Sequence, residues 1–348
     1  MATPGMVASV EWTDGKRYLW MLGALTITLP IVAAVSALAT GWHPLWWAGP
    51  FIVFTIIPLL DFLIGDDPDN PPEDVVPTLE KQRYYRRIVY LATTVLYVSF
   101  AVSMWVLRTN DLVWYDYIAF AFSVGVVTGI SINTAHELGH KTDGFERWLA
   151  KITLAPVAYG HFFVEHNRGH HVRVATPADP ASARYGESFW EFLPRTVVGS
   201  VKSAWALEKR RLEQQGHSVW SWRNDVLNAW AMTVVLWGVC IAFVGLKAVP
   251  FLIIQAVYGA SLLEVVNYLE HYGLCRQQLP SGRYERCTPQ HSWNSNHVVT
   301  NLFLYQLQRH ADHHANPTRS FQALRHFEHS PQLPAGYAAM ILIAYVPP

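Results

Sequence analysis

Long apolar runs decide the fold class of this chain before any single residue does. Crossing ~30 Å of hydrocarbon at 1.5 Å of rise per residue takes about 20 predominantly apolar residues. Six stretches qualify: residues 18–40, 45–64, 88–107, 113–135, 226–246 and 250–268. Inside lipid no water meets the backbone N–H and C=O groups, so a spanning segment must satisfy them as a helix or within a closed barrel. None of the six runs shows the polar–apolar alternation of a barrel strand. The expectation is an all-α protein with six transmembrane helices. Composition agrees, since 51% of the 348 residues are hydrophobic, only 15% are charged and 15 are Trp.

Charge placement orients the helices. With the N-terminus in the cytoplasm, all of the 26 Lys and Arg except Arg108 and Lys247 fall on the inner side, as the positive-inside rule requires. All 16 His except His43 lie there too. The outer loops are short, so the cytoplasmic segments 136–225 and 269–348 form a helical cap on one integral-membrane domain, residues 1–348, in a bacterial inner (plasma) membrane. The first run is too long for a signal peptide and reads as an uncleaved span. Cys240, Cys275 and Cys287 form no CxxC pair, so no iron–sulfur or rubredoxin centre is expected within the chain. Gly65–Pro77 reads as an acidic, proline-rich loop and Phe189–Trp222 as interfacial helices with a basic side. The apolar stretch before Pro348 ends abruptly, and a longer natural C-terminus or fused module is expected. No nucleic-acid partner is expected; membrane lipid is.

Four stretches carry the chemistry: His136-Glu137-Leu138-Gly139-His140, His166-Asn167-Arg168-Gly169-His170-His171, Asn267–Gly273 around His271, and His310-Ala311-Asp312-His313-His314. Residues four apart on a helix share a face, which pairs His136 with His140 and His166 with His170. His310 and His313 are three apart. An adjacent His points roughly 100° away, so the doublets at His171 and His314 can serve two different metals. His271 follows the sixth span and should lie at the depth of His136. Nine imidazoles exceed what one ion uses; two ions with four and five ligands is the simplest division, leaving positions for dioxygen. Imidazole suits Zn, Cu, Fe and Ni. Glu137, Glu165, Glu270 and Asp312 each neighbour a candidate ligand, Glu264 and Asn267 precede His271, and His297 precedes the last cluster. These are candidates to hold the ligand rings by their second N–H.

Two other readings use the same residues. His136-Glu137-x-x-His140 has the zinc-protease pattern with Glu137 as base, but it leaves seven histidines idle. A zinc transporter would carry its ligands near mid-membrane, whereas these crowd at one exit. Among smaller signals, Gly125-x-x-x-Gly129 reads as a helix-packing face and Asp61 as a boundary residue, with a link to the metal shell as its other reading. Val53, Ile57, Leu60 and Ile64 share one face of the second span and are candidates to line a substrate channel.

The motifs HELGHK (His136–Lys141), EHNRGHH (Glu165–His171), NYLEHYGL (Asn267–Leu274) and LQRHADHH (Leu307–His314) resemble those of the integral-membrane alkane 1-monooxygenases. The loop at Asn70-Pro71-Pro72-Glu73 and the stretch Trp293–Phe303 resemble that family as well. Three histidine boxes alone are shared with membrane fatty-acyl desaturases and lipid hydroxylases, which remain the alternative; the NYxEHYG element is more specific. The resemblance implies a non-haem di-iron site with two Fe ions, no haem or flavin in this chain, and O2 as cosubstrate. It implies His136, His140, His166, His170, His171, His271, His310, His313 and His314 as ligands. It implies hydroxylation of the terminal carbon of medium-chain n-alkanes. Electrons would come from rubredoxin, separate or fused, itself reduced by a NAD(P)H-dependent rubredoxin reductase. The chemistry is consistent: a terminal C–H offers no polar handle, so a redox metal is needed and zinc is excluded. The basic surface at Lys209, Arg210 and Arg211 would steer an acidic donor protein.

Overall fold

The structure, a computed structural model, describes residues 12–346. Among these residues the architecture is helical, with only isolated β-bridges and no strand. The first apolar run departs from the expected single span. It folds as two pieces, α1 (Met21–Thr26) and α2 (Leu29–Thr40). The Thr26 and Thr28 hydroxyls donate back to the carbonyls of Leu22 and Leu25, and Pro30 brings no N–H to continue the ladder. Both effects interrupt a helix.

Five helices are long and apolar enough to cross a membrane. They are α3 (His43–Ile64), α4 (Arg83–Thr109), α5 (Trp114–Gly139) and, after the intervening α6 (Gly144–Leu154), α7 (residues 162–173) and α8 (Phe189–Gln214), the pair α9 (Asp225–Val244) and α10 (Ala248–His271). Polar side chains fix their starts. Asp143 accepts from Phe145 N–H ahead of α6, Ser188 and Glu191 form a capping box on α8, and Asn224 accepts from Val226 and Leu227 N–H ahead of α9. Each satisfies N–H groups that a helix start leaves free.

α5 is the axis of the molecule. Of its most apolar window 83% is buried by protein, against 22% for α3 and α9, which therefore present most of their surface outward. α5 packs on α10 through glycine. A Cβ on Gly125 would stand 2.8 Å from the Gln255 carbonyl oxygen, and one on Gly129 would stand 2.8 Å from that of Gly259. The small-residue face thus brings two backbones into contact. α5 and α10 both run further than the apolar pattern indicated, so His136 lies in the last turn of α5 and His271 is the last residue of α10 rather than just beyond it.

Among the described residues three short α-helices follow α10: α11 (Val298–Phe303), α12 (His310–Ala315) and α13 (Tyr337–Tyr345). The acidic, proline-rich loop after α3 turns inward. Arg309, fully buried, donates to Asp67 Oδ2 at 3.0 Å and to the carbonyls of Asp69 and Leu324. Arg319 joins Asp312 (2.9 Å) to Glu73 (2.5 Å). A six-residue helix has no independent stability, and these ion pairs pin α12 from both sides.

Candidate metal centre

The nine histidines come from α5, α7, α10, α12 and the residue after α5. They form two adjoining groups: His136, His140, His166, His171 and His313 in one, and His170, His271, His310 and His314 in the other. Within each group the potential ligand nitrogens lie within 4.8 Å of one another. The two groups touch, with the His171 and His314 ring centroids 4.6 Å apart. His140 and His171 are half-buried and the other seven are buried.

Local backbone geometry decides which histidine goes where. α7 contains a π turn over His166–His170. An i→i+5 ladder sets the fifth residue, not the fourth, over the first. His171 therefore joins His166, and His170 turns to the other group, so the expected His166–His170 pairing does not form. In α12 the i, i+4 pair His310 and His314 shares a group while His313 faces the other. Both doublets are split between the groups.

In the first group the Nε2 atoms run His140–His166–His171–His313–His136 at separations of 3.1, 3.0, 3.0 and 3.0 Å. In the second they run His170–His314–His310–His271 at 3.3, 2.9 and 3.3 Å. Ligands at right angles on an ion with metal–nitrogen bonds of ~2.1 Å stand ~3.0 Å apart. On the far side of the rings, three Nδ1 atoms face oxygen atoms. Nδ1 of His170 faces Asp179 Oδ2 at 2.9 Å, and Nδ1 of His271 faces the His291 carbonyl at 3.5 Å. Nδ1 of His310 is 3.2 Å from Glu270 Oε1, a close but poorly aligned contact. A ring whose proton is on Nδ1 turns a lone pair inward through Nε2. Converging lone pairs repel unless a cation lies among them, so the donor set fits metal ions. Burial holds the imidazoles of His140, His166, His171, His310, His313 and His314 well below their usual 6.5, leaving them neutral and able to ligate.

The carboxylates expected to hold the rings behave differently. Glu137 pairs with Lys141 at 2.7 Å, which also removes it as a protease base. Glu165 pairs with Arg173 at 2.6 Å, and burial pushes its carboxyl up to about 7. Asp312 is taken by Arg319, Asn316 and the Arg325 N–H. His297 meets Ser295 and Asp66. Glu264 accepts from Tyr159, Thr196 and Asn267. Of the acidic candidates only Glu270 stands beside a ligand ring. Asp179, which spacing did not single out, holds His170; its signal was nine residues along the chain, beyond the helical neighbours.

An apolar cavity of about 80 Å³ opens beside these groups. His136, His166 and His310 stand in its wall together with Asn267, Glu270 and otherwise mostly apolar side chains from α3, α5, α10, α11 and α13. Val53 and Ile57 line it, with Phe54 between them. Leu60 and Ile64 do not. Both face outward, at 36% and 58% exposure, because the buried face of α3 continues from Ile57 to Asp61.

Comparison with known proteins places this geometry in context. Residues 112–344 match the family described as fatty acid desaturase. An alkane 1-monooxygenase of Pseudomonas putida is 48% identical over 97% of this chain and 84% of its own length. Proteins with the same description from Ectopseudomonas oleovorans (49%, 97% and 84%) and Acinetobacter baylyi (45%, 98% and 84%) are similar to a comparable degree.

Proposed function

This chain belongs to the alkane 1-monooxygenases within the fatty acid desaturase family, and we propose that it hydroxylates the terminal carbon of medium-chain n-alkanes with O2. It is a multi-pass membrane oxidoreductase. The overall change is R–CH3 + O2 + 2 H⁺ + 2 e⁻ → R–CH2OH + H2O. The observation that carries the reading is the pair of buried imidazole groups reaching into an apolar cavity between membrane helices. The acyl desaturase alternative is not favoured, because the relatives at 45–49% identity over nearly the whole chain are described as alkane 1-monooxygenases.

The nine histidines are assigned as ligands of two iron ions, five to one and four to the other. When bound, redox-active iron supplies the dioxygen activation that an unactivated C–H bond demands and that zinc cannot provide. The protein does the rest. Val53, Ile57 and the facing side chains of α10 and α13 hold a hydrocarbon and exclude water. Asp179 orients His170, and Glu270 stands beside His310. The broken α1–α2 run, at ~1.5 Å per residue over residues 18–40, is long enough to make the sixth crossing of a single domain covering residues 1–348. The skew of Lys and Arg to one side supports a histidine cap in the cytoplasm of an inner membrane. A rubredoxin, reduced by its NAD(P)H-dependent reductase, supplies the electrons there.

Iron quantification on purified protein, coupled to octane turnover with added rubredoxin and reductase, tests the reading. About two irons per chain and 1-octanol as product are expected. Zinc filling both groups, or iron-loaded protein that forms no octanol, would overturn it.

A further inference from the structure

Asp61 is a carboxylate inside a membrane-spanning helix, and nothing in the proposed chemistry uses it. It is 3% exposed, and both its oxygens accept from one residue: Oδ1 from Thr300 N–H at 2.9 Å and Oδ2 from the Thr300 hydroxyl at 2.5 Å. Among the described residues no Lys, Arg or His pairs with it. Burying a carboxylate costs more than two hydrogen bonds return, and an apolar side chain of similar volume would serve stability better. A carboxylate buried in the last turn of α3 with no cation beside it calls for a functional account.

Its position supplies one. Gly336, at the start of α13, lies against the same carboxylate; a Cβ there would stand 2.5 Å from Asp61 Oδ2 and 3.2 Å from the Thr300 hydroxyl. Asp61 thus sits where α3, α11 and α13 meet. Each of these supplies part of the cavity wall: Ile57, then Thr300 and Phe303, then Ala338 and Ile341. Past Thr300 the chain makes a strained turn, with Tyr305 and Gln306 at φ +47° and +56°, a conformation side chains other than glycine rarely adopt. Leu304 and Leu307 flank that turn, face the cavity and lead directly to His310. Asn133 of α5 holds the Leu304 carbonyl at 2.6 Å. The wall between Val298 and His310 is therefore tied to the end of α3 by Val298 N–H on the Gly65 carbonyl (3.1 Å) and by Thr300 on Asp61, and to α5 by Asn133; of these ties only that of Asp61 holds α11 through a side-chain carboxylate.

We propose that Asp61 is a positioning residue that sets regioselectivity. By fixing Thr300 it keeps this wall closed on the hydrocarbon, so that only the terminal methyl group reaches the histidine groups. The proposal rests on the alkane reading above. A methyl C–H is stronger than the methylene C–H beside it, so attack at the chain end has to be imposed by shape, and small displacements of a reacting centre change rates by orders of magnitude.

The test compares membranes carrying wild-type protein, Asp61→Ala, Thr300→Val or Thr300→Ser at matched protein and iron content. Octane, rubredoxin and reductase are added, and 1- and 2-octanol are separated by gas chromatography. The 2-octanol to 1-octanol ratio should rise about tenfold or more in Asp61→Ala and Thr300→Val, while Thr300→Ser, which keeps the hydroxyl, retains the wild-type ratio. If Asp61→Ala fails to accumulate, the near-isosteric Thr300→Val decides. A Thr300→Val protein with the wild-type ratio, whatever its rate, overturns the proposal. Iron-loaded wild-type membranes that form neither alcohol would overturn the alkane reading itself, and this proposal with it.

Discussion

Replacing Asp179 isolates the contribution of a residue that touches a ligand ring and not the metal. Its Oδ2 accepts from His170 Nδ1 at 2.9 Å and from the Ser182 hydroxyl at 2.6 Å, and its Oδ1 accepts from Ala181 N–H at 3.3 Å. Burial pushes the carboxyl upward, but the His170 and Ser182 contacts outweigh it and hold Asp179 below the usual carboxylate range. A buried hydrogen bond to a charged acceptor is worth about 1.5–3 kcal/mol. At about 1.4 kcal/mol per factor of ten, its loss corresponds to roughly 10–100-fold in metal affinity, the range found when the outer partner of a ligating histidine is removed. Asp179→Ala should therefore release iron at about 10–100-fold lower chelator concentration, with octanol formation falling in step. Asp179→Asn keeps the acceptor and the shape but loses the charge. Neutral bonds are about half as strong, so its loss should be roughly threefold to tenfold. Metal retained against a chelator series, measured by mass spectrometry on purified protein, reads both. Asp179→Ala holding iron as firmly as wild type, or Asp179→Asn proving the worse of the two, would refute the reasoning.

Three further outcomes follow from the same geometry. His271→Ala removes one of the four nitrogens of the second group and should reduce octanol formation by more than ~100-fold while membrane insertion is unchanged; wild-type turnover would take His271 out of the ligand set. Metal-free protein should lose stability as the pH falls below 6.5, the ordinary imidazole value. Buried histidines whose folded values are depressed stay neutral while the unfolded chain takes up protons. Their contribution is thus fully present above that pH and lost below it, by up to about 1.4 kcal/mol per pH unit for each group, and a melting temperature that stays flat from pH 7 to 5 counts against it. Gly129→Val forces a side chain to within 2.8 Å of the Gly259 carbonyl oxygen, which should cost about 1–3 kcal/mol and lower the melting temperature in detergent; unaltered melting would mean that the α5–α10 crossing is looser than described.

Much of this was legible in the sequence because it depends on length and spacing. Five of the six apolar runs appear as continuous helices of spanning length, and the nine histidines converge, with His136 and His140 in one group as their four-residue spacing implied. What was not legible depends on backbone detail or on distant partners. The break at Ile27–Thr28 reflects hydroxyl back-bonding and Pro30, neither of which changes hydropathy. The π turn at His166–His170 exchanges the partner of His166, and periodicity assumes a regular helix. Glu137 and Asp312 neighbour ligands in sequence, but adjacent residues on a helix point about 100° apart, and each found a cation instead. Leu60 and Ile64 missed the cavity because Asp61, a polar residue excluded from an apolar stripe, occupies the inward position of α3.

The split doublets explain why so much of the surrounding structure is pinned. His170 and His171 are neighbours on α7, and His313 and His314 are neighbours on α12, yet each pair divides between the two groups. Rotating either helix about its axis moves one ring toward its group and the other away from its own. The two groups therefore share one geometric optimum and cannot be adjusted separately. α12 is a single turn and a half, with nothing of its own to resist rotation. The resistance comes from Arg309 on Asp67 at one end and Arg319 on Asp312 at the other. On this view the ion pairs of the Asp67–Glu73 loop act on both groups at once. Loosening them should disturb five- and four-histidine groups together, a coupling that independent sites would not show.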